Sequence, residues 1–187
     1  WLWLMLAAYF CAGVGFVVSA TFTVAIIEAV PNLAGFGAWA WLICGLAATP
    51  SVYLWDRVAR RFGELPALIA AYTCQISSVA LPALSDHWLA ALCAAALFGG
   101  TAIGIVSMTL AFVGKRAPQN PGKAMAQLTL GYGAAQIAGP ALTAYAVDAT
   151  GSYHGALWMT SAILVVGILC LSRLQRAYFP AAPTTPR

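Results

Sequence analysis

Thr129, Tyr132, Gly133, Gln136 and Gly139 recur at intervals that bring them to one face of a helix turning about 100° per residue. Their chemistry is hydrogen bonding without charge: a hydroxyl, a phenol and a carboxamide can each donate and accept. Flanked by apolar residues, such a face bonds either a neighbouring helix or a polar solute in a water-filled cavity. Gln127 points the other way, and Pro140 directly follows Gly139. A proline there removes one backbone hydrogen bond and clashes with the preceding turn, so a kink is predicted in the outer half of this helix. A second face carries Tyr9, Gly13, Phe16, Ala20 and Thr23. Aromatic and small residues so arranged suit either the wall of an apolar cavity or core packing. Thr101 and Met108 are further candidates for that wall.

Other chemistries find no residues. No Lys, Arg, Asp, Glu or His falls in the middle of an apolar stretch, where a charge costs on the order of 3 kcal/mol or more and marks a proton relay or ion site. Glu28 and Asp148 stand at the outer ends of stretches, as solvated carboxylates would. Cys11, Cys44, Cys74, Cys93 and Cys170 are scattered singly, with no CxxC pair and no His at metal-ligand spacing, so neither a metal nor a cofactor is expected. His87 and His154 lie between apolar stretches, and no Gly-x-Ser-Gly string occurs, which argues against an intramembrane protease.

The elements that must position the polar faces are long apolar runs. The chain is 62% hydrophobic and 7% charged, where a soluble domain carries roughly 25% charged residues. A hydrocarbon core of about 30 Å needs roughly 20 apolar residues of helix. Six stretches reach that length, at about 4–27, 35–54, 65–84, 88–113, 124–147 and 155–171. They lack the alternation of barrel strands, so the fold class is all-α integral membrane with six spans in residues 1–176. Residues 177–187 read as a disordered cytoplasmic tail. The opening at Trp1, without a methionine, reads as a piece of a longer polypeptide cut just before a helix.

The 9 cations fix an orientation. Arg57, Arg60 and Arg61 share one gap, Lys115, Arg116 and Lys123 another, and Arg173, Arg176 and Arg187 the tail, while the intervening gaps hold none. Cytoplasmic loops carry the excess of Lys and Arg, so both ends of the chain are expected in the cytoplasm. Trp1, Trp3 and Trp55 are expected as anchors at that face, and Trp88 and Trp158 at the other. Topology accounts for the cations loop by loop, and no nucleic-acid partner is implied.

Weak internal symmetry adds a clue. The first and fourth stretches are both glycine-interrupted, at Gly13-Val14-Gly15-Phe16 and at Phe98-Gly99-Gly100-Thr101 with Gly104. Matching breaks in two three-helix units fit an inverted repeat with broken helices along a substrate path. Gly100, Gly104, Ser107 and Ala111 also form a small-residue stripe suited to close helix packing.

After the second stretch comes Asp56-Arg57-Val58-Ala59-Arg60-Arg61-Phe62-Gly63. Asp56 and Arg60 are spaced for an i,i+4 pair if the helix runs on. A solvated basic loop explains the arginines, though not the acid before them or the glycine after. The string resembles the loop signature of the major facilitator superfamily, D-R-x-G-R-R/K, with Ala59 in place of its glycine and Val52 in place of an earlier one. Gly139-Pro140 resembles the superfamily's Gly-Pro signature. Gly13 to Phe16 with Ala20-Thr21-Phe22, Phe98 to Thr101, and Leu128-Thr129 with Tyr132-Gly133, Gln136 and Gly139-Pro140 are similar to the YbfB/YjiJ branch.

The resemblance implies a twelve-helix transporter in two halves. This chain would be the C-terminal one, with its first and fourth helices on the cavity and an N-terminal half as its partner. Asp56, Arg57, Arg60 and Arg61 would form a cytoplasmic gating loop, Asp56 stabilising the outward-open state. The function expected is secondary active transport of a small organic solute by alternating access, with coupling acids in the other half. The membrane expected is the bacterial inner one. The alternative is a complete six-helix channel or permease subunit working as a homodimer. An aquaporin-type pore is not supported, since Asn120-Pro121-Gly122 occurs once and in a basic loop.

Overall fold

The computed structural model describes residues 1–29, 35, 37–85 and 87–179, the side chains of 22–27 and 29 excepted. Thr23 as a wall residue, Asp86, and the tail from residue 180 to Arg187 lie outside the described residues. All regular structure described is helical: α1 (Leu2–Ala29), α2 (Gly37–Ala48), α3 (Ser51–Phe62), α4 (Glu64–Leu84), α5 (Trp88–Arg116), α6 (Pro121–Thr150) and α7 (Tyr153–Tyr178).

Local chemistry sets the ends. Asn120 accepts from the Lys123 amide at 3.1 Å with Pro121 in the first turn of α6, where a missing N–H costs nothing. At its other end α6 stops on Gly151, whose φ of 70° is left-handed. The His87 ring accepts from the Leu89 amide at the start of α5, and Lys115 and Arg116 occupy its last turn, favourable against the helix dipole.

The stretch 35–54 divides into two helices meeting at 41°. Pro50 has no N–H to continue the ladder of α2, and the Thr49 hydroxyl turns back to the Gly45 carbonyl at 2.9 Å. The second piece, α3, then runs well past residue 54 and takes in the whole Asp56–Phe62 string. What reads as a basic loop is the end of a helix, and Gly63 alone separates it from α4.

Among the described residues four helices, α1, α4, α5 and α7, are long and apolar enough to cross a membrane, and five spans result if α2 and α3 together form one. By length α6 suffices, at 30 residues, but Gln127, Thr129, Tyr132 and Gln136 dilute its apolar character and it is not among them.

Within the bundle α1 packs along α6 and α7, and α5 along α4 and α2. The main core joins Met5, Tyr72, Leu68, Phe112, Leu128, Leu164, Leu171 and Leu174, large side chains gathered mainly toward the end where the cations collect. Two small clusters, Ala40 with Ala91 and Ala95, and Cys44 with Phe98 and Ala102, lie between α2 and α5. Most buried polar side chains described find partners, as an apolar medium requires, although the Ser51 hydroxyl at the start of α3 has none. The Tyr72 hydroxyl donates to the Ala8 carbonyl at 2.8 Å, and Thr143, Thr160 and Ser161 donate to carbonyls four residues back.

Candidate functional site

Four aromatic rings form a row across the bundle. Tyr9 of α1 and Tyr132 of α6 have centroids 4.6 Å apart, and Phe16 of α1 lies 6.1 Å from Tyr132 and 5.5 Å from Phe98 of α5. These separations are within the favourable range for ring pairs. The row exists because α1 and α6 touch at Gly13. A Cβ there would stand 2.8 Å from Ala135 Cβ and 2.9 Å from the Tyr132 carbonyl oxygen. Tyr9 is buried, whereas Phe16, Tyr132 and Gln136, one turn beyond Tyr132, are half-buried. The row therefore presents aromatic edges and a carboxamide at its rim, with no formal charge.

Of the polar face expected on α6, Tyr132 is in the ring row, and Gln136 follows it one turn along the helix, half-buried. Gly139 instead packs on Val17 of α1, and Pro140 sits inside the continuous helix. Thr129 is exposed, its hydroxyl bonded to the Met125 carbonyl at 3.0 Å. Thr101 and Met108 also stand apart from the rings. Met108 is in the main core. Thr101 is buried against α4, its hydroxyl 3.0 Å from Gln75 Oε1 and 2.7 Å from the Leu97 carbonyl. Phe98 is the ring that the face analysis missed, although the Phe98-Gly99-Gly100-Thr101 string contains it.

Beside Thr101 a crevice of about 220 Å³ opens between α3, α4 and α5, lined by Leu54, Trp55, Val58, Cys74 and Leu97. Trp55, expected as an anchor, is held between helices. Its indole Nε1 donates to the Gly100 carbonyl near the middle of α5 at 2.7 Å. A Cβ on Gly104 would overlap Trp55 Cδ1, and one on Gly99 would overlap the Cys44 carbonyl, while one on Gly100 would meet nothing. The close-packing glycines of α5 are thus 99 and 104; the stripe read in the sequence contains Gly104 but has Gly100, which meets nothing, where the packing uses Gly99.

At the basic end, Asp56 accepts from Arg60 Nε at 2.8 Å, the i,i+4 pair that the spacing allows. Arg57 donates to the Tyr53 hydroxyl at 3.0 Å, and Arg61 lies over the Phe62 ring. All four residues of the expected gating string are exposed. A stronger ionic feature lies nearby, on Glu64 at the start of α4. Its two oxygens accept from Lys115 Nζ at 2.8 Å and Arg116 Nη1 at 2.6 Å. The Arg116 guanidinium is 3.7 Å from the Phe112 ring centroid and 4.8 Å from that of Phe179. Trp1 stands edge-on to both rings. One cluster thereby joins the ends of α1, α4, α5 and α7. Nothing local marks Glu64 in the sequence, since its partners are 51 and 52 residues away.

At the opposite end Glu28 accepts the backbone N–H groups of Gly35 at 2.8 Å and Gly37 at 2.9 Å, capping α2 from outside. These bonds hold its carboxyl below the usual range. Among the described residues no three of His, Cys, Asp and Glu come together as metal ligands, and the five cysteines are free.

Over residues 1–172 the chain matches the family described as "Uncharacterised MFS-type transporter YbfB". No curated protein matches it.

Proposed function

The chain belongs to the YbfB-type family of MFS transporters, and on that premise we propose that it is one six-span half of a secondary active transporter moving a small organic solute by alternating access. It is a multi-pass integral membrane protein that acts in transport. In this reading α2 and α3 form one span. The helix α6 forms the sixth, its polar face kept wet by the substrate path. The six spans make two inverted three-helix repeats, and an N-terminal half completes the path. Both ends of the chain face the cytoplasm, as the distribution of cations favours, and the membrane is the bacterial inner one, as the family resemblance implies.

The observation that carries the reading is the row Tyr9, Tyr132, Phe16 and Phe98 with Gln136 at its rim. Ring edges and a carboxamide, without a cation to hold an anion, suit an amphipathic solute better than a sugar phosphate. The test is a panel of small organic solutes presented to the purified full-length protein, scored by thermal shift. Amphipathic compounds should raise the melting temperature, and Phe16→Ala and Tyr132→Ala should abolish the shift. Stabilisation confined to anions, or indifferent to both substitutions, would remove the rings from the path. The intact mass of the native product decides the second half: a value near twice 19.5 kDa is expected, and one near 19.5 kDa favours the homodimer.

A further inference from the structure

The described cations divide into two groups. Arg60, Lys115 and Arg116 are held by carboxylates, Arg57 by Tyr53, and Arg61 lies on Phe62. Lys123 at the start of α6, and Arg173 and Arg176 on the last turns of α7, are exposed and meet no carboxylate among the described residues. The two arginines border a groove of about 540 Å³ between α1 and α7 whose other walls are mainly apolar: Leu4, Val166 and Leu169, with Ser172 beside the arginines. The groove runs from Val166 to Arg176, about 15 Å at 1.5 Å per residue, which is half the roughly 30 Å thickness of the hydrocarbon core. Its apolar part, from Val166 to Cys170, takes up about 6 Å of that length and the two cations stand at the other end, so the groove with its cations included is about as long as one leaflet is thick. Trp3, 82% exposed on the second residue of α1, stands at the same level, as a ring at a membrane interface does.

We propose that this groove binds an anionic phospholipid of the leaflet on the basic side. Arg173 and Arg176 take the phosphate oxygens as donors, and an acyl chain lies along Leu4, Val166 and Leu169. A zwitterionic lipid fits the apolar wall equally well but places its own cation against the two arginines, so selection is by headgroup charge. The inference needs only that the chain spans a membrane. It holds or fails independently of the substrate path.

The test is native mass spectrometry of the delipidated full-length protein with phosphatidylglycerol or phosphatidylcholine of identical acyl chains. Phosphatidylglycerol should bind roughly ten- to thirty-fold more tightly, the combined effect of two interfacial cations. Arg173→Ala with Arg176→Ala should abolish that preference. Leu169→Trp, which fills the groove and keeps both charges, should weaken both lipids, while Lys123→Ala, at an exposed cation away from the groove, should change nothing. Equal binding of the two lipids, an unaffected double variant, or an equal loss from Lys123→Ala would overturn the proposal in favour of diffuse attraction. Displacement by millimolar inorganic phosphate would overturn it in favour of a soluble anion.

Discussion

The indole of Trp55 occupies the space that a side chain at residue 104 would need, so Gly104 and Trp55 interlock α5 with α3. Gly99 does the same for α5 and α2, where the obstacle is the Cys44 backbone. A backbone atom cannot rotate away, whereas an indole can tilt. Gly99→Ala should therefore cost more than Gly104→Ala, each within the roughly 1–3 kcal/mol of an overpacked core. Gly100→Ala, with open space at its Cβ, should be neutral or slightly stabilising. Thermal unfolding of the three variants in detergent gives the order, and a Gly100→Ala as damaging as Gly99→Ala would contradict this packing.

Glu64 should matter more to stability than any other carboxylate described. Its side chain is 24% exposed and serves two cations. Exposed pairs contribute under about 1 kcal/mol, and breaking a fully buried one costs about 3–5. Glu64→Gln should fall between, at about 1–2 kcal/mol. Arg116→Ala should cost at least as much, because it also uncovers the Phe112 and Phe179 rings. A double-mutant cycle with the two substitutions should show coupling, and strict additivity would mean that the contact is incidental.

Asp56 and Arg60 form an exposed i,i+4 pair, with side-chain exposures of 53% and 80%. Such a pair contributes only about 0.3–0.5 kcal/mol. Asp56→Asn should therefore leave the melting temperature nearly unchanged. If Asp56 stabilises the outward-open state, the same substitution in the full-length protein should lower transport and shift cysteine labelling from the outer to the inner mouth. Unchanged labelling at both mouths would dismiss the gating role.

Gly63 has φ 100° and ψ 154°, a region that residues with a Cβ scarcely enter. Space is not the obstacle, since its Cβ would meet only Pro66 at 3.4 Å or more. Gly63→Ala should cost about 1–3 kcal/mol through the backbone alone, and Gly63→Asn about as much, because the tolerance of Asn for positive φ is confined to the left-handed helical region at much lower ψ. Equal stability of the alanine variant and the parent would show that this turn relaxes.

Glu28 supplies a pH dependence. The Gly35 and Gly37 amides lower its folded-state pKa, so these two hydrogen bonds are favoured above the ordinary glutamate range near 4.3. That contribution fades as pH falls through the lowered value. The protection of the Gly35 and Gly37 amides relative to their intrinsic exchange rates should fall on acidification, and Glu28→Gln should weaken that response. Exchange independent of pH, beyond its intrinsic chemistry, would exclude the cap.

Apolar length made most of the bundle legible in the sequence, since helices are the simplest way to satisfy a backbone inside lipid. The Asp56–Arg60 spacing was legible for the same local reason. The helix carrying it was not, because hydropathy drops at a charged string whether or not the backbone keeps turning. Trp55 shows a second limit of sequence. Tryptophan serves both interface and interior, and only the donor–acceptor match with Gly100 distinguishes them here. The ring row was half legible: the faces of α1 and α6 are periodic, but their meeting depends on the crossing at Gly13. Glu64 was invisible, its partners being set by the antiparallel return of α4 into α5.

The one-residue link at Gly63 also limits how α3 can move. One residue spans at most about 3.6 Å, so the adjoining ends of α3 and α4 cannot slide apart, and relative motion is confined to a pivot. Glu64, the next residue, is clamped to α5, and α3 is itself held on α5 where Trp55 meets Gly100 and Gly104. The short link and these two contacts make α3, the start of α4 and α5 one mechanical unit. Pro50 is the joint from that unit to α2, which is seated on α5 at Gly99. A force applied on the basic side is therefore passed on by the three helices together and not by α3 alone.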